Sequence, residues 1–270
     1  MNLCDSHIHI LDERFATTSS LAVDQGMTLS DYRVAQASLG TTRAVVVQAK
    51  PYGTDNRCLV DALSQLGVAG RGVAVVAPDI SDASLDALHQ AGVRGVRFSL
   101  WNPADAVASV DDMLRLAPRL AEFGWHLQLH MMADQIEAWR ELLVGLTCPI
   151  VFDHMGRLPL SAPTRHRAFS IICDLAKQGH AWVKLSGSYL NASPELPVAH
   201  QAMAHAFIEV IPDRLVWGSD WPHVTEKTHP PTPDQLWTIF QDWCEQDAEL
   251  IRLIGEITPA MLYQFDTEHV

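Results

Sequence analysis

Eight apolar, β-branched runs recur along the chain with helix-forming segments between them, and this alternation restricts the fold more than any other feature. The runs read LCDSHIHI (3–10), TRAVVVQA (42–49), GRGVAVVAP (70–78), GVRGVRFSL (92–100), WHLQLHM (125–131), PIVFDHMG (149–156), AWVKLSG (181–187) and RLVWGSDWP (214–222). Near-continuous apolar character, as in Val45-Val46-Val47, suits strands covered on both faces, the condition of a parallel sheet. Between the runs the spacing is helical. Leu59, Leu63 and Leu66 stop at Gly67, Leu85 and Leu88 follow Ser81 and stop before Gly92, and Ile136, Trp139 and Leu143 share one face. Pro118, inside MLRLAPRLAEFG, predicts a kink or a break. Eight strands alternating with helices in ~250 residues is the arithmetic of an α/β fold of the (β/α)8 TIM-barrel type. No GxGxxG follows the first run, which argues against an open dinucleotide-binding sheet. No linker or charge run divides the chain, so one domain over 1–270 is expected.

Charge and cysteine usage narrow the function. With 19 Lys and Arg against 32 Asp and Glu, the net charge of −13 argues against a nucleic-acid partner or an anionic membrane surface. No uncharged apolar run approaches the ~20 residues that span a bilayer. Five widely spaced cysteines with no CxxC pair suit a reducing compartment, and MNLCDSHIHI has no basic segment followed by an apolar core, so a cytoplasmic protein is expected. The partner is expected to be a small molecule, with homo-oligomerisation left open.

In such a barrel the active site lies at the C-terminal ends of the strands. The polar residues there are His7 and His9, Gln48, Arg97 and Ser99, His130, Asp153 and His154, Lys184 and Ser186, and Asp220. Burying so many polar groups costs several kcal/mol each unless partners, a metal or a ligand satisfy them. A lone strand-end histidine is more often structural. His7 and His9 form a pair, at positions that project to one face of a strand, and Asp220 would lie across a closed barrel from them. Asp153, next to His154, is expected to point outward by strand alternation. Tyr52 and Asn56 sit where a loop reaches substrate, Trp101 and Trp221 either line the pocket or cap the core, and Arg157 is a second anion contact or a surface residue. The remaining histidines receive no chemical role. The long connection LDERFATTSSLAVDQGMT reads either as a lid or as a tolerated insertion.

An HxH pair ending the first strand, histidines ending the fifth and sixth and an aspartate ending the eighth resemble the amidohydrolase superfamily. DSHIHI, YGTDNRCLVDAL, GVRGVRF, FDHMGR, VKLSG and VWGSDWPH resemble its branch of pyrone-dicarboxylate and sugar lactonases, from about Leu3 to Phe265. The resemblance implies lactone hydrolysis, with Asp220 as general base toward water and His7, His9 and His154 around the carbonyl. Arg97 would meet a substrate carboxylate, with Gln48, Tyr52, Ser99, Lys184 and Arg157 as further substrate contacts. Two departures stand out. The dicarboxylate lactonase works without metal and has a tyrosine at the end of strand 5, where this chain has His130. His7, His9, His130 and Asp220 therefore offer a site for one divalent metal, Zn²⁺ first among them, though a metal-free site is equally compatible. After GVRGVRF this chain reads SLWNPAD, without the lactonase's further arginine, which favours a less anionic or an aromatic-ring-derived lactone within the anionic or sugar-derived class that the resemblance implies. A metal-dependent decarboxylase of muconate-type or hydroxybenzoate acids, or a lactone isomerase, is the alternative.

Overall fold

The computed structural model describes residues 1–18, 26–102, 106–190, 196–226 and 228–266, and shows a (β/α)8 barrel. The strands are β1 (Cys4–Ile8), β2 (Arg43–Val47), β3 (Gly70–Ala74), β4 (Val93–Ser99), β5 (His126–His130), β6 (Ile150–Phe152), β7 (Ala181–Leu185) and β8 (Leu215–Trp217). They lie in sequence order, each parallel to the next. Helices cover the outer face, and several start on Ser or Thr caps: Thr28 with Asp31, Ser109 with Asp112 and Thr232 with Gln235 form capping boxes. The helix Val110–Glu122 runs on through Pro118. Its four buried side chains, Met113, Leu116, Ala117 and Leu120, outweigh the ~3 kcal/mol that an interior proline costs. Of the long connection after β1, residues 19–25 lie outside the described residues, so the lid reading of that segment does too.

The barrel closes between β8 and β1 through the segment that carries Asp220. His9 N–H donates to the Trp221 carbonyl at 2.8 Å and Asp220 N–H to the His7 carbonyl at 2.9 Å. Below them, Asp5 accepts from Ser219 N–H (2.8 Å) and Ser219 Oγ (2.6 Å). The two ends of the sheet, over two hundred residues apart in sequence, are thereby stapled at the height of the histidine pair.

Two apolar clusters follow from this arrangement. The larger fills the space between sheet and helices. The smaller closes the barrel floor, where Val45, Val47, Val73, Val151 and Val216 meet Tyr263 and Phe265 of the C-terminal segment. Cys4 belongs to this floor, so His7 would point outward in a regular strand. The pairing of β1 with β2 shifts register between Asp5 and Ile8, and this irregularity turns His7 inward as well. Above the floor the interior becomes polar. His126 stands against Tyr263, with ring centroids 5.4 Å apart, in space that Gly95 leaves: a Cβ there would lie 2.5 Å from His126 Nε2.

Candidate active site

The C-terminal ends of the strands surround a cavity of about 570 Å³. Its wall includes His9, Arg97, Ser99, His130, His154, Arg157 and Asp220, with Trp101 beside Arg157. His7 lies beneath, fully buried. The backbone holds several of these groups in the left-handed region, which bulky residues adopt only at a cost of ~1–3 kcal/mol each. His154, Met155, Gly156 and Arg157 form one such run (φ 50°, 53°, 65° and 46°), and Asp220 has φ 62°. This turn corrects the sequence expectation for β6. Asp153 continues the inward alternation from Val151 and is buried in the barrel, whereas His154 has left the strand and reaches the cavity through its turn.

Asp153 anchors the polar layer. Arg97 Nε–H donates to its Oδ2 at 3.0 Å, Gln128 Nε2 donates to the same oxygen at 3.2 Å, and His7 Nδ1 lies 3.4 Å from its Oδ1. Burial raises the Asp153 carboxyl, but the hydrogen bond from His7 and the charge of Arg97 more than compensate and hold it well below the usual carboxylate range. Lys184 is also part of this layer and not of the cavity wall: its ammonium donates to the Ser6 carbonyl (2.8 Å) and Gln128 Oε1 (2.7 Å), 3.4 Å from His7 Nδ1. Burial brings it down to about 8, with Asp153 acting in the opposite direction. Arg97 lines the cavity, yet its Nε edge is taken by Asp153, so only its remaining N–H groups can meet a substrate.

Three expected contacts serve the scaffold instead. Gln48 Nε2 donates to the Gly53 and Asp55 carbonyls (3.2 and 2.8 Å), pinning the loop after β2. Tyr52 is buried, its hydroxyl accepting from Asp12 N–H (2.8 Å) and donating to the Asp12 carbonyl (3.0 Å). Asn56 ties its loop to Val75. Trp221 packs on Tyr32, ring centroids 5.5 Å apart, whereas Trp101 carries the Arg157 guanidinium 5.3 Å above its ring.

The imidazoles converge on Asp220. His7 Nε2 lies 3.5 Å and His9 Nε2 3.8 Å from Asp220 Oδ1, and His154 Nδ1 lies 3.9 Å from Oδ2 while paired with Ser186 Oγ at 2.9 Å. Burial pushes all three imidazoles down, His9 to about 4, so they are neutral at pH 7. Burial raises Asp220 too, whereas a proton on His154, His7 or His9 and the hydrogen bond from the Tyr189 hydroxyl act the other way, and the carboxyl stays below the usual carboxylate range.

The donor set fits a divalent metal. His9 Nδ1 must donate to the Val47 carbonyl at 2.9 Å, which leaves Nε2 as a bare lone pair aimed at the site. His7 Nε2 is 3.3 Å away, close to the edge of about 3.3 Å that two nitrogens span on a tetrahedral zinc with ~2.05 Å bonds. Ligation through Nε2 puts the His7 proton on Nδ1, and the buried Asp153 Oδ1, otherwise without a hydrogen-bond partner among the described residues, is there to accept it. His7, His9 and Asp220 form one metal-competent group, and His7, Asp153 and His154 a second. His130, expected as a ligand, belongs to neither group among the described residues: its Nδ1 faces Arg97 Nη2 (3.4 Å) and Ser99 Oγ (3.3 Å).

Residues 4–265 match the family described as amidohydrolase. The chain belongs to that family. It is 33% identical over 279 residues to a 2-pyrone-4,6-dicarboxylate hydrolase of Comamonas testosteroni, covering 96% of this chain and 89% of that protein. A 4-sulfomuconolactone hydrolase of Rhizobium radiobacter is 32% identical over 234 residues, 86% of this chain and 74% of the relative. Among solved structures, one from Pseudomonas putida named as a putative 2-pyrone-4,6-dicarboxylic acid hydrolase superposes with a TM-score of 0.87 at 29% identity, covering 99% of each chain. Members of this superfamily often bind a metal ion, and the His and Asp groups suited to one are present in this amidohydrolase.

Sequence reading missed part of the wall: Leu11, Ala49, Lys50 and Pro51 on one side, Tyr189, Leu190, Val224 and Glu226 on the other. These sit beyond the strand ends, Lys50 and Pro51 in a short 3-10 turn and the others in connecting segments, where no periodicity marks them. Tyr189, two residues past the KLSG run, had the best available signal, since it extends a strand end already assigned to the site.

Proposed function

We propose that this chain hydrolyses the ester bond of a small carboxylated lactone, with Asp220 as general base. The observation that supports this reading most strongly is the placement of an ionised Asp220 against neutral imidazoles at one end of a cavity that also holds Arg97 and Arg157. The hydrolases of pyrone and muconolactone substrates among its relatives support the same chemistry.

His130 is proposed to supply the electrophilic assistance. Arg97 can only donate, so His130 Nδ1 accepts, and the proton of the neutral ring is on Nε2. That N–H is buried without a hydrogen-bond partner among the described residues, on a residue lining the cavity, and would donate to a carbonyl oxygen as it gains charge. Arg157, stacked on Trp101, and the remaining N–H groups of Arg97 would orient the substrate carboxylate. A water adds to the lactone carbonyl while Asp220 takes its proton, and the oxyanion accepts from His130. Collapse breaks the ring C–O bond, and Asp220 returns the proton to the departing ring oxygen, leaving a hydroxy acid. A divalent cation, Zn²⁺ first, would be held by His7, His9 and Asp220. When bound it supplies a Lewis acid for the carbonyl and a more acidic water.

No helix among the described residues is long and apolar enough to cross a membrane. The five buried free thiols support a reducing, cytoplasmic setting as part of this proposal. A panel of pyrone carboxylates, muconolactones and aldonolactones, followed by pH indicator and by CO2 detection, tests the reading. One acid equivalent per turnover without CO2 is expected, fastest on a carboxylated lactone. CO2 release, or turnover of none of them, would overturn it.

A further inference from the structure

We propose that Tyr189 is a positioning residue for the hydrolytic base: it holds one oxygen of Asp220 and so turns the other toward the attacking water. The inference rests on Asp220 acting as the base. The torsion that orients an aspartate carboxylate is broad, so rotamer preference alone does not choose which oxygen faces the reaction. Here the two oxygens have different surroundings. Tyr189 donates its hydroxyl to Oδ2 at 2.6 Å, a charge-assisted distance, whereas Oδ1 faces His7 Nε2 and His9 Nε2. The Asp220 backbone is already fixed by its bond to the His7 carbonyl, and this hydroxyl is the short contact on the side chain, His154 Nδ1 lying farther from the same oxygen at 3.9 Å.

The phenol is itself held. Its ring meets the His223 ring edge-on, with centroids 5.1 Å apart and planes at 86°, and His223 Nε2 sits 3.2 Å from the Ser219 carbonyl. Tyr189 thus bridges the loop after β7 to the segment carrying the base, lining the cavity without facing the oxygen assigned to water. With Oδ2 accepting a short hydrogen bond, Oδ1 is the oxygen left to accept a proton, on the side where the imidazoles converge.

The test is Tyr189→Phe, which removes the hydroxyl and keeps the ring, assayed on whichever lactone of the panel is turned over fastest. We expect kcat to fall ~10–100-fold with KM within about twofold, the signature of a contact realised in the reaction rather than in binding. The melting temperature should be unchanged. In an Asp220→Glu background, where the longer carboxylate no longer meets the hydroxyl, the same substitution should cost little further. Unchanged kcat, a raised KM with kcat intact, or an equal loss in both backgrounds would overturn the inference. The two failures are distinguishable: turnover surviving Asp220→Asn removes the base itself, whereas lost turnover there with an unaffected Tyr189→Phe enzyme removes only the role of the tyrosine.

Discussion

Replacing His130 by Leu separates two chemistries that its position admits, metal ligation and oxyanion stabilisation. In the structure its Nδ1 is engaged by Arg97 Nη2 at 3.4 Å and Ser99 Oγ at 3.3 Å, and its buried Nε2 has no hydrogen-bond partner among the described residues, which leaves it as the proposed donor to substrate. Leucine fills similar volume and removes that single donor. Loss of one oriented oxyanion donor lowers kcat by ~10²–10³, or ~3–4 kcal/mol of transition-state stabilisation. The bonds from Arg97 and Ser99 are long, so their loss adds little, and Arg97 keeps its anchor on Asp153. Steady-state kinetics on the preferred lactone should therefore show kcat down by that factor with KM little changed. Zinc affinity, read by competition with a chromogenic chelator, should match that of the unsubstituted protein. A His130→Leu protein that loses zinc affinity, or raises KM while keeping kcat, would refute the assignment of this ring to the carbonyl oxygen.

Gly95→Ala should destabilise the barrel by ~1–3 kcal/mol in urea unfolding, because its Cβ meets the ring of His126 against Tyr263; adding His126→Ala should recover much of the loss. Burial lowers His126 to about 3, so the folded protein keeps the ring neutral while the unfolded chain takes up a proton below its ordinary 6.5. Its stabilising contribution is therefore present above pH 6.5 and lost as pH falls toward 3: between pH 7 and pH 5 the protein should lose about 2 kcal/mol more than a His126→Leu variant. Equal pH dependence of the two in urea titrations would contradict this. Gly187→Ala, at φ 70° and with a Cβ 2.9 Å from His154 Nδ1, should displace His154 from Ser186; kcat should fall with a smaller change in melting temperature.

Much of the barrel was legible because parallel strands covered on both faces leave short β-branched runs such as Val45-Val46-Val47, whose length and branching favour a strand over a buried helix. The histidine pair and Asp220 were legible for a related reason, as polar residues ending such runs. What the sequence concealed is backbone irregularity. The register shift in β1 is what turns both Cys4 and His7 inward, and no residue pattern signals it. The left-handed run from His154 to Arg157 takes His154 out of the strand, so counting alternation back from an inward His154 turns Asp153 outward, although it follows Val151 inward and anchors the polar layer. Gln48, Tyr52 and Lys184 lie near the site but are held by carbonyls and side chains of the scaffold, a distinction that requires coordinates. Tyr189 sits in a loop and becomes meaningful only through its 2.6 Å bond to Asp220.

The most direct test of the account is lactone binding and turnover by an Asp220→Asn protein. Asparagine preserves the shape and tolerates the left-handed backbone at this position, but it cannot take a proton from water. Calorimetry should show the preferred lactone still binding, and turnover should fall by ~10²–10⁴-fold. Turnover at the original rate would mean that the carboxylate gathered against His7 and His9 is not the group that activates water.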